Sequence, residues 1–306
     1  MIPEKLKVAE TLAEFRGQYA YNLLDGNVRA FAAAVAQINQ WDDHEVTNNW
    51  YPGEVLTDAR YTEKRLDVLA ERAFQAYHEW VPLDPRQAVD GRVYRKFGYG
   101  PHVEVFVIDM RTYRDVNSAN TAPLERILGA KQARWLVDSL DASKATWKIV
   151  ASDMPIGVNV PDGTAWEAVA NGVAGPPSGR EAEIAWVLSQ LRHRKVRNVV
   201  WLTADVHYTA AYHYAPERAS FTEFDPFWEF VSGPLHAGAF GPNPLDATFG
   251  PQAAFVKAPP VANTSPLDGF QHFGEVEVAP GGGELTVTLR DITGAALWST
   301  TLDAAR

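Results

Sequence analysis

Apolar positions change their period several times along the chain, and each change marks an element. Over residues 4–24, Leu6, Ala9, Leu12, Ala13 and Phe15 follow helical spacing, and residues 29–36 continue as an alanine-rich helix. Residues 57–80 read as one long helix, with Thr57 or Asp58 as N-cap and Pro82 just beyond its end. Most of its charges, Glu63 and Arg65 included, read as solvated surface. Three short apolar runs follow, and each leads into an acid: residues 103–109 end at Asp109, residues 147–153 at Asp153, and residues 198–203 run into Asp205. Helical patterns over 129–140 and 180–192 separate them, which predicts an α/β sheet with helices on its faces. Open sheets of this kind place their sites at the carboxyl ends of the strands, where these acids stand. Residues 159–179, rich in Gly and Pro and without periodicity, read as a long surface loop of the sort that often carries function. After Tyr214 the apolar runs 227–231, 274–278, 285–289 and 296–302 read as strands, the last three as a meander turning through Gly281-Gly282-Gly283. One compact domain with helical cover at its start is the simplest organisation.

Composition narrows the chemistry. At 306 residues and 46% hydrophobic the chain buries a substantial core. A net charge of −10 with scattered Lys and Arg gives no nucleic-acid groove, so an anionic substrate needs a metal or a focused arginine to be held. The chain has no cysteine, which removes disulfides, thiolate metal sites and a thiol nucleophile. No apolar stretch reaches the ~20 residues of a membrane span, and residues 1–5 open into a polar amphipathic helix rather than a signal-like segment, so the chain as written is expected to be soluble and unexported.

Two clusters carry the candidate chemistry. In Trp41-Asp42-Asp43-His44-Glu45, three carboxylates around one imidazole repel one another unless a cation or hydrogen-bond donors neutralise them. If Asp43 ligates a metal, His44 stands beside it, and its imidazolium can protonate a leaving oxygen. The competing reading is an exposed acidic turn with Asp42 as a helix cap. Trp41, Trp50 and Tyr51 supply walls, and Asn48-Asn49 amide ligands. In Thr203-Ala204-Asp205-Val206-His207, Asp205 and His207 are two apart and face one ion if the strand continues. Asp153 ends a neighbouring strand and can converge on Asp205. Asp43, Asp153, Asp205 and His207 form an oxygen and nitrogen donor set suited to iron, manganese, zinc or calcium. Asp109 with Arg111 and Arg114 reads either as part of the site or as a buried ion pair fixing a strand end. His213 reads as structural, and His236, in a glycine-containing loop, as a substrate contact or a loop histidine. A purely structural α/β domain with acidic strand ends is the bland alternative to the whole assignment.

These clusters, with residues 7–16, 41–49, 108–114, 202–208 and 227–250, resemble the PhoD-like alkaline phosphatase family, a branch of the calcineurin-like metallophosphoesterases. The resemblance implies a β-sandwich flanked by helices and metal-dependent hydrolysis of phosphomonoesters and phosphodiesters by a metal-activated hydroxide, with iron and calcium as the expected metals. Asp43 takes the place of the asparagine ligand in the Gly-Asn-His-Asp/Glu motif and His44 that of its catalytic histidine. Asp205 and His207 look like the Gly-His-X-His ligand pair, with Ala204 replacing the glycine, and Asp153 looks like the ligand on the intervening strand. The departures are at the start. The first strand ending in Asp-X-His, the Gly-Asp motif with its bridging aspartate, the export signal and the N-terminal β domain usual in such proteins do not precede Trp41. Residues 1–306 are therefore expected to match the carboxyl-terminal part of such an enzyme, without the first strands of the fold. Without a bridging carboxylate two close cations lose the anion that screens their repulsion, so weak or single-metal binding and little turnover are expected. The alternative is a non-catalytic remnant, or half of a complementing pair whose open sheet edge associates with a partner segment.

Overall fold

The computed structural model describes residues 2–84, 86, 89 and 92–305; Met1, which begins the polar opening segment, lies outside them. Four short apolar strands, covered on both faces, build a parallel centre: β2 (Val103–Val107), β3 (Trp147–Ala151), β6 (Val199–Thr203) and β8 (Phe227–Val231). Antiparallel strands extend it at both sides, β1 (Arg95–Tyr99) on β2, then β7 (Thr209–Tyr214) and β9 (Pro251–Lys257) beyond β8, giving the order β1-β2-β3-β6-β8-β7-β9. A small hairpin, β4 (Pro161–Asp162) and β5 (Ala165–Trp166), stands apart.

Alternation along the strands separates two cores. Val150, Trp201 and Val231 face α4 (Ala130–Ala142) and α5 (Arg180–His193), whose buried rows Ala133, Leu136, Val137, Leu140 and Ile184, Val187, Leu188, Leu191 repeat at three and four residues. Trp147, Val200 and Phe230 point the other way, onto Leu285, Val287 and Leu289 of a three-stranded meander, β10 (His272–Val278), β11 (Glu284–Asp291) and β12 (Ala296–Asp303). Helices thus cover one face of the sheet and the meander covers the other. This is the sandwich with helical cover expected from the sequence, and the Gly281–283 turn closes β10 onto β11. Among the described residues no helix is long and apolar enough to cross a membrane.

A third core joins α1 (Leu12–Asn22) and α3 (Leu66–Trp80) to the loop that follows α2 (Gly26–Ala34), through Phe15, Trp41, Trp50, Leu69 and Tyr77. Thr11 caps α1 in a capping box with Glu14. The expected helix over 57–80 forms only in its later part: α3 begins at Leu66, not near Thr57, and residues 57–65 are irregular chain. Glu10 accepts the N–H groups of Thr62 and Glu63 at 2.5 and 2.7 Å, and Tyr61 is buried with its hydroxyl on Thr47, so tertiary partners hold 57–65 out of the helix. The stretch 159–179 is also corrected: residues 167–171 are buried beneath the sheet ends rather than lying on the surface.

Gly179 sets the turn into α5 with φ +57°, and a Cβ there would fall 2.2 Å from the Asn120 carbonyl oxygen. Asn120 in turn receives the Arg180 N–H and donates to the Val169 carbonyl. Gly179→Ala is expected to destabilise the fold by ~3 kcal/mol through backbone strain and overpacking, read as a drop in urea midpoint without a change in slope.

Candidate metal centre

Three parallel strands deliver the site. The chain leaves β2 into Asp109-Met110-Arg111, β3 into Ser152-Asp153 and β6 into Ala204-Asp205, and the Ala204 N–H donates to the Asp153 carbonyl at 2.8 Å, which ties the last two loops together. The fourth contributor is the Trp41 loop. Trp41 is 1% exposed and packs edge-on against Trp50, Phe74 and Tyr77, so a hydrophobic anchor fixes the acids that follow it. Glu45 accepts the Asp42 N–H at 2.7 Å while the Val46 and Thr47 N–H groups donate to the Asp43 carbonyl, which makes the motif a capped turn.

Carboxylate oxygens of Asp42, Asp43 and Asp205 all lie within 4.8 Å of one another. Asp43 is buried, and its Oδ2 accepts the N–H of Asn49 at 2.8 Å. Asn49 thus positions Asp43 through its backbone N–H, while its Nδ2 donates to Asp162 Oδ1 at 3.1 Å. His44 is 67% exposed, with Nε2 3.7 Å from Asp43 Oδ2. His207 lines the same cleft of about 470 Å³ as Asp43, His44 and Asp205, but stands outside the three-carboxylate cluster. The expected strand geometry for Asp205 and His207 is wrong. β6 stops at Thr203, and both residues take left-handed backbone, φ 61° and 60°, with a tight turn from Val206 N–H to the Ala204 carbonyl between them. Left-handed backbone is tolerable for Asp and unusual enough to mark a functional site. His207 Nδ1 sits 2.7 Å from the Gly238 carbonyl. A carbonyl cannot donate, so Nδ1 carries a proton and Nε2 is the ring nitrogen left to face a ligand, the orientation typical of a histidine ligand.

At the centre lies Arg111, 0% exposed. Its Nε donates to Asp153 Oδ2 and to Asp42 Oδ1, both at 3.0 Å, its Nη2 donates to Asp205 Oδ1 at 3.1 Å and lies 2.9 Å from Asp42 Oδ1, and its Nη1 donates to Glu167. Burial alone would favour loss of its proton, but Asp42, Glu167, Asp43 and Asp153 outweigh burial and hold the guanidinium charged. Asp109 does not pair with it: its Oδ1 caps the turn by accepting the N–H groups of Arg111 and Thr112. Burial, reinforced by Asp42, pushes Asp153 well above the ordinary carboxylate range, and burial, reinforced by Glu167 and Asp42, does the same to Asp205. One guanidinium does not balance four carboxylates, and Asp153 Oδ1 is buried with no hydrogen-bond partner among the described residues. An additional cation fits that deficit, and the all-oxygen trio favours a hard one.

The family model for PhoD-like phosphatase matches residues 2–289. The chain belongs to the PhoD-like phosphatase family. Alkaline phosphatase D of Bacillus subtilis (strain 168) is 30% identical over 248 residues, covering 76% of this chain and 41% of that protein. The solved structure of PhoD superposes with a TM-score of 0.68 at 22% identity, over 97% of this chain and 59% of the other, which shows a shared fold. The chain thus spans about half the length of the PhoD proteins it matches.

Two members of the site in this PhoD-like chain escaped the sequence reading. Asp42 stands in the sequence among three carboxylates that need a cation, or as a helix cap, and is not among the expected ligands, although its place beside Asp43 is a signal. Glu167 lay in the stretch read as a surface loop; the signal was a lone acid inside the apolar run Ala165-Trp166-Glu167-Ala168-Val169-Ala170. Of the expected ligands, Asp43 and Asp205 meet directly, Asp153 joins them through Arg111, and His207 stands on the cleft wall.

Proposed function

We propose that the chain hydrolyses phosphomonoesters and phosphodiesters at the cleft beside Asp42, Asp43 and Asp205. The observation that carries this reading is the meeting of Asp43 and Asp205, 162 residues apart in sequence, at the carboxyl ends of a parallel sheet with His44 on the rim. Asp42, Asp43 and Asp205 would hold the cation, with His207 Nε2 and Asp153 as further donors; iron and calcium are the expected metals, and manganese and zinc also suit the donor set. When bound, such an ion polarises phosphoryl oxygens and makes water acidic enough to attack at neutral pH. His44, solvent-exposed beside Asp43, delivers a proton to the leaving oxygen. Arg111 keeps the acids gathered, and the apolar anchor of Trp41 keeps His44 in place. Release of p-nitrophenol from its phosphate monoester and diester, with iron, calcium, manganese or zinc added, tests the reading; no turnover with any of the four metals contradicts it.

Turnover by this chain is expected to be low, because Arg111 takes one oxygen each of Asp42 and Asp205 and leaves an ion a reduced donor set. A second reading has the chain act together with a partner segment. It is favoured by α2, which buries none of its residues and leaves Val28, Phe31, Val35 and Ile38 exposed along it and just beyond its end.

The raised carboxyls give a pH prediction. Burial pushes Glu45 and Glu229 up to about 7 and Glu181 up to about 8, from an ordinary value of 4.5. Between those limits the unfolded chain binds fewer protons than the folded one, so metal-free stability falls as pH rises from about 4.5 to about 8. Metal uptake by Asp205 and Asp153 needs their ionised forms and so tightens over the same direction of pH. Thermal melts across pH are expected to show a falling metal-free midpoint and a growing metal-induced increment; a flat increment contradicts the assignment.

A further inference from the structure

We propose that Arg111 is the resident second cation of this site, so that the carboxylates hold one metal ion per chain and not two. The inference rests on the proposed metal-dependent reading and concerns which charges complete it. Four carboxylates from four separate segments, Asp42, Asp153, Glu167 and Asp205, converge on one guanidinium. Multiple acids gathered around a compact positive centre are what a metal ion ordinarily organises, and here a side chain does so.

In the wild-type chain an ion does not displace Arg111, because its surroundings hold it from several sides. Its backbone N–H is pinned on Asp109, a residue with no exposure, and its own side chain has none. Arg180 donates through Nη1 to the carbonyl of Glu167 at 2.8 Å, and the buried Arg114 donates to the same carbonyl. Those two guanidiniums hold the Glu167 segment against Arg111 from behind, while the Ala204–Asp153 backbone bond fixes the two loops on the opposite side. An arginine also keeps its charge at every pH at which the fold exists, so its place is permanently filled.

Arg111 nevertheless leaves room for one ion. It uses Oδ1 of Asp42 and Oδ1 of Asp205, and a carboxylate has two oxygens. A cation among Asp42, Asp43 and Asp205 can take the remaining oxygens while the ion pairs persist. Asp43 makes no ion pair with Arg111, and it brings the cluster an acid that the guanidinium leaves to another cation. A second ion on the Asp153 and Glu167 side would stand against the guanidinium itself, where like charges repel in a water-poor setting.

Titration of the purified chain with Mn²⁺, followed by electron paramagnetic resonance and by metal analysis after gel filtration, tests this directly. Wild type is expected to bind one Mn²⁺ with an uncoupled spectrum. Arg111→Met is expected to admit a second Mn²⁺ at least tenfold more tightly than wild type does, with spin coupling between the two. Arg111→Lys, which keeps a charge at the same place, is expected to remain at one and covers the case in which the methionine variant does not fold. Two coupled ions in wild type, or two in the lysine variant, overturn the role of Arg111 and leave the phosphoesterase reading standing. No Mn²⁺ bound to any of the three overturns both.

Discussion

Asp205→Asn is expected to lower metal affinity by more than ~100-fold and kcat/KM toward p-nitrophenyl phosphate by about 1,000-fold, while the chain stays folded. Residues that merely orient a metal ligand are worth about 10–100-fold in affinity, and Asp205 is placed to be a ligand itself. Asparagine is the informative replacement for a backbone reason. Asp205 has φ 61°, a conformation that Asn shares with Asp, whereas alanine would add strain and confuse loss of charge with loss of structure. The amide keeps the shape and an oxygen but removes the negative charge. Asp42, Asp153 and Glu167 still balance Arg111 in the variant, so the fold keeps its internal ion pairs. Calorimetric titration with manganese and circular dichroism separate the two effects. Unchanged metal affinity in a folded variant removes Asp205 from the site.

The second large effect belongs to His44. Its side chain is 67% exposed, so His44→Ala is expected to shift stability by no more than ~0.5 kcal/mol and to leave metal content unchanged. Turnover is another matter, because a positioned general acid contributes about 10²–10⁴-fold. The size of the loss depends on the alcohol that departs. p-Nitrophenolate leaves without protonation, whereas an alkoxide does not, so the deficit is expected to be small for p-nitrophenyl phosphate and about 100-fold larger for an alkyl phosphate. Comparing kcat for the two esters in wild type and variant reads this out. Equal losses on both esters assign His44 to substrate binding instead, and loss of metal assigns it to the ligand set.

Much of the architecture was written in periodicity. Apolar runs of five residues bounded by turn residues located β2, β3, β6 and β8, and the acid after three of them pointed to the carboxyl ends of the sheet, where Asp153 and Asp205 are found. The amphipathic rows of α4 and α5 and the meander around Gly281–283 were equally plain. What escaped depends on partners distant in sequence. Residues 57–65 have helical composition, yet the Glu10 carboxylate captures two of their N–H groups from another part of the chain. β1 and β9 are edge strands: β1 is short, polar and interrupted by a glycine, and β9 opens on proline and lacks strict alternation. Glu167 becomes a site residue only because two buried arginines hold its backbone beneath Arg111. The turn at Asp205 and His207 is likewise invisible to a strand rule: two left-handed residues replace the simple alternation that would have aimed both side chains at one ion. In the Trp41 motif the rival expectation of Asp42 as a helix cap is not met: the turn is capped from Glu45, which accepts the Asp42 N–H.

On the proposed function, the acids gathered around Arg111 hold a cation. Anomalous diffraction from crystals of the chain grown with Mn²⁺ tests it most directly. A peak at about 2.0–2.6 Å from carboxylate oxygens of Asp42, Asp43 and Asp205 is the predicted result. A fully occupied Mn²⁺ elsewhere on the protein, with Arg111 still alone among its acids, would contradict the account.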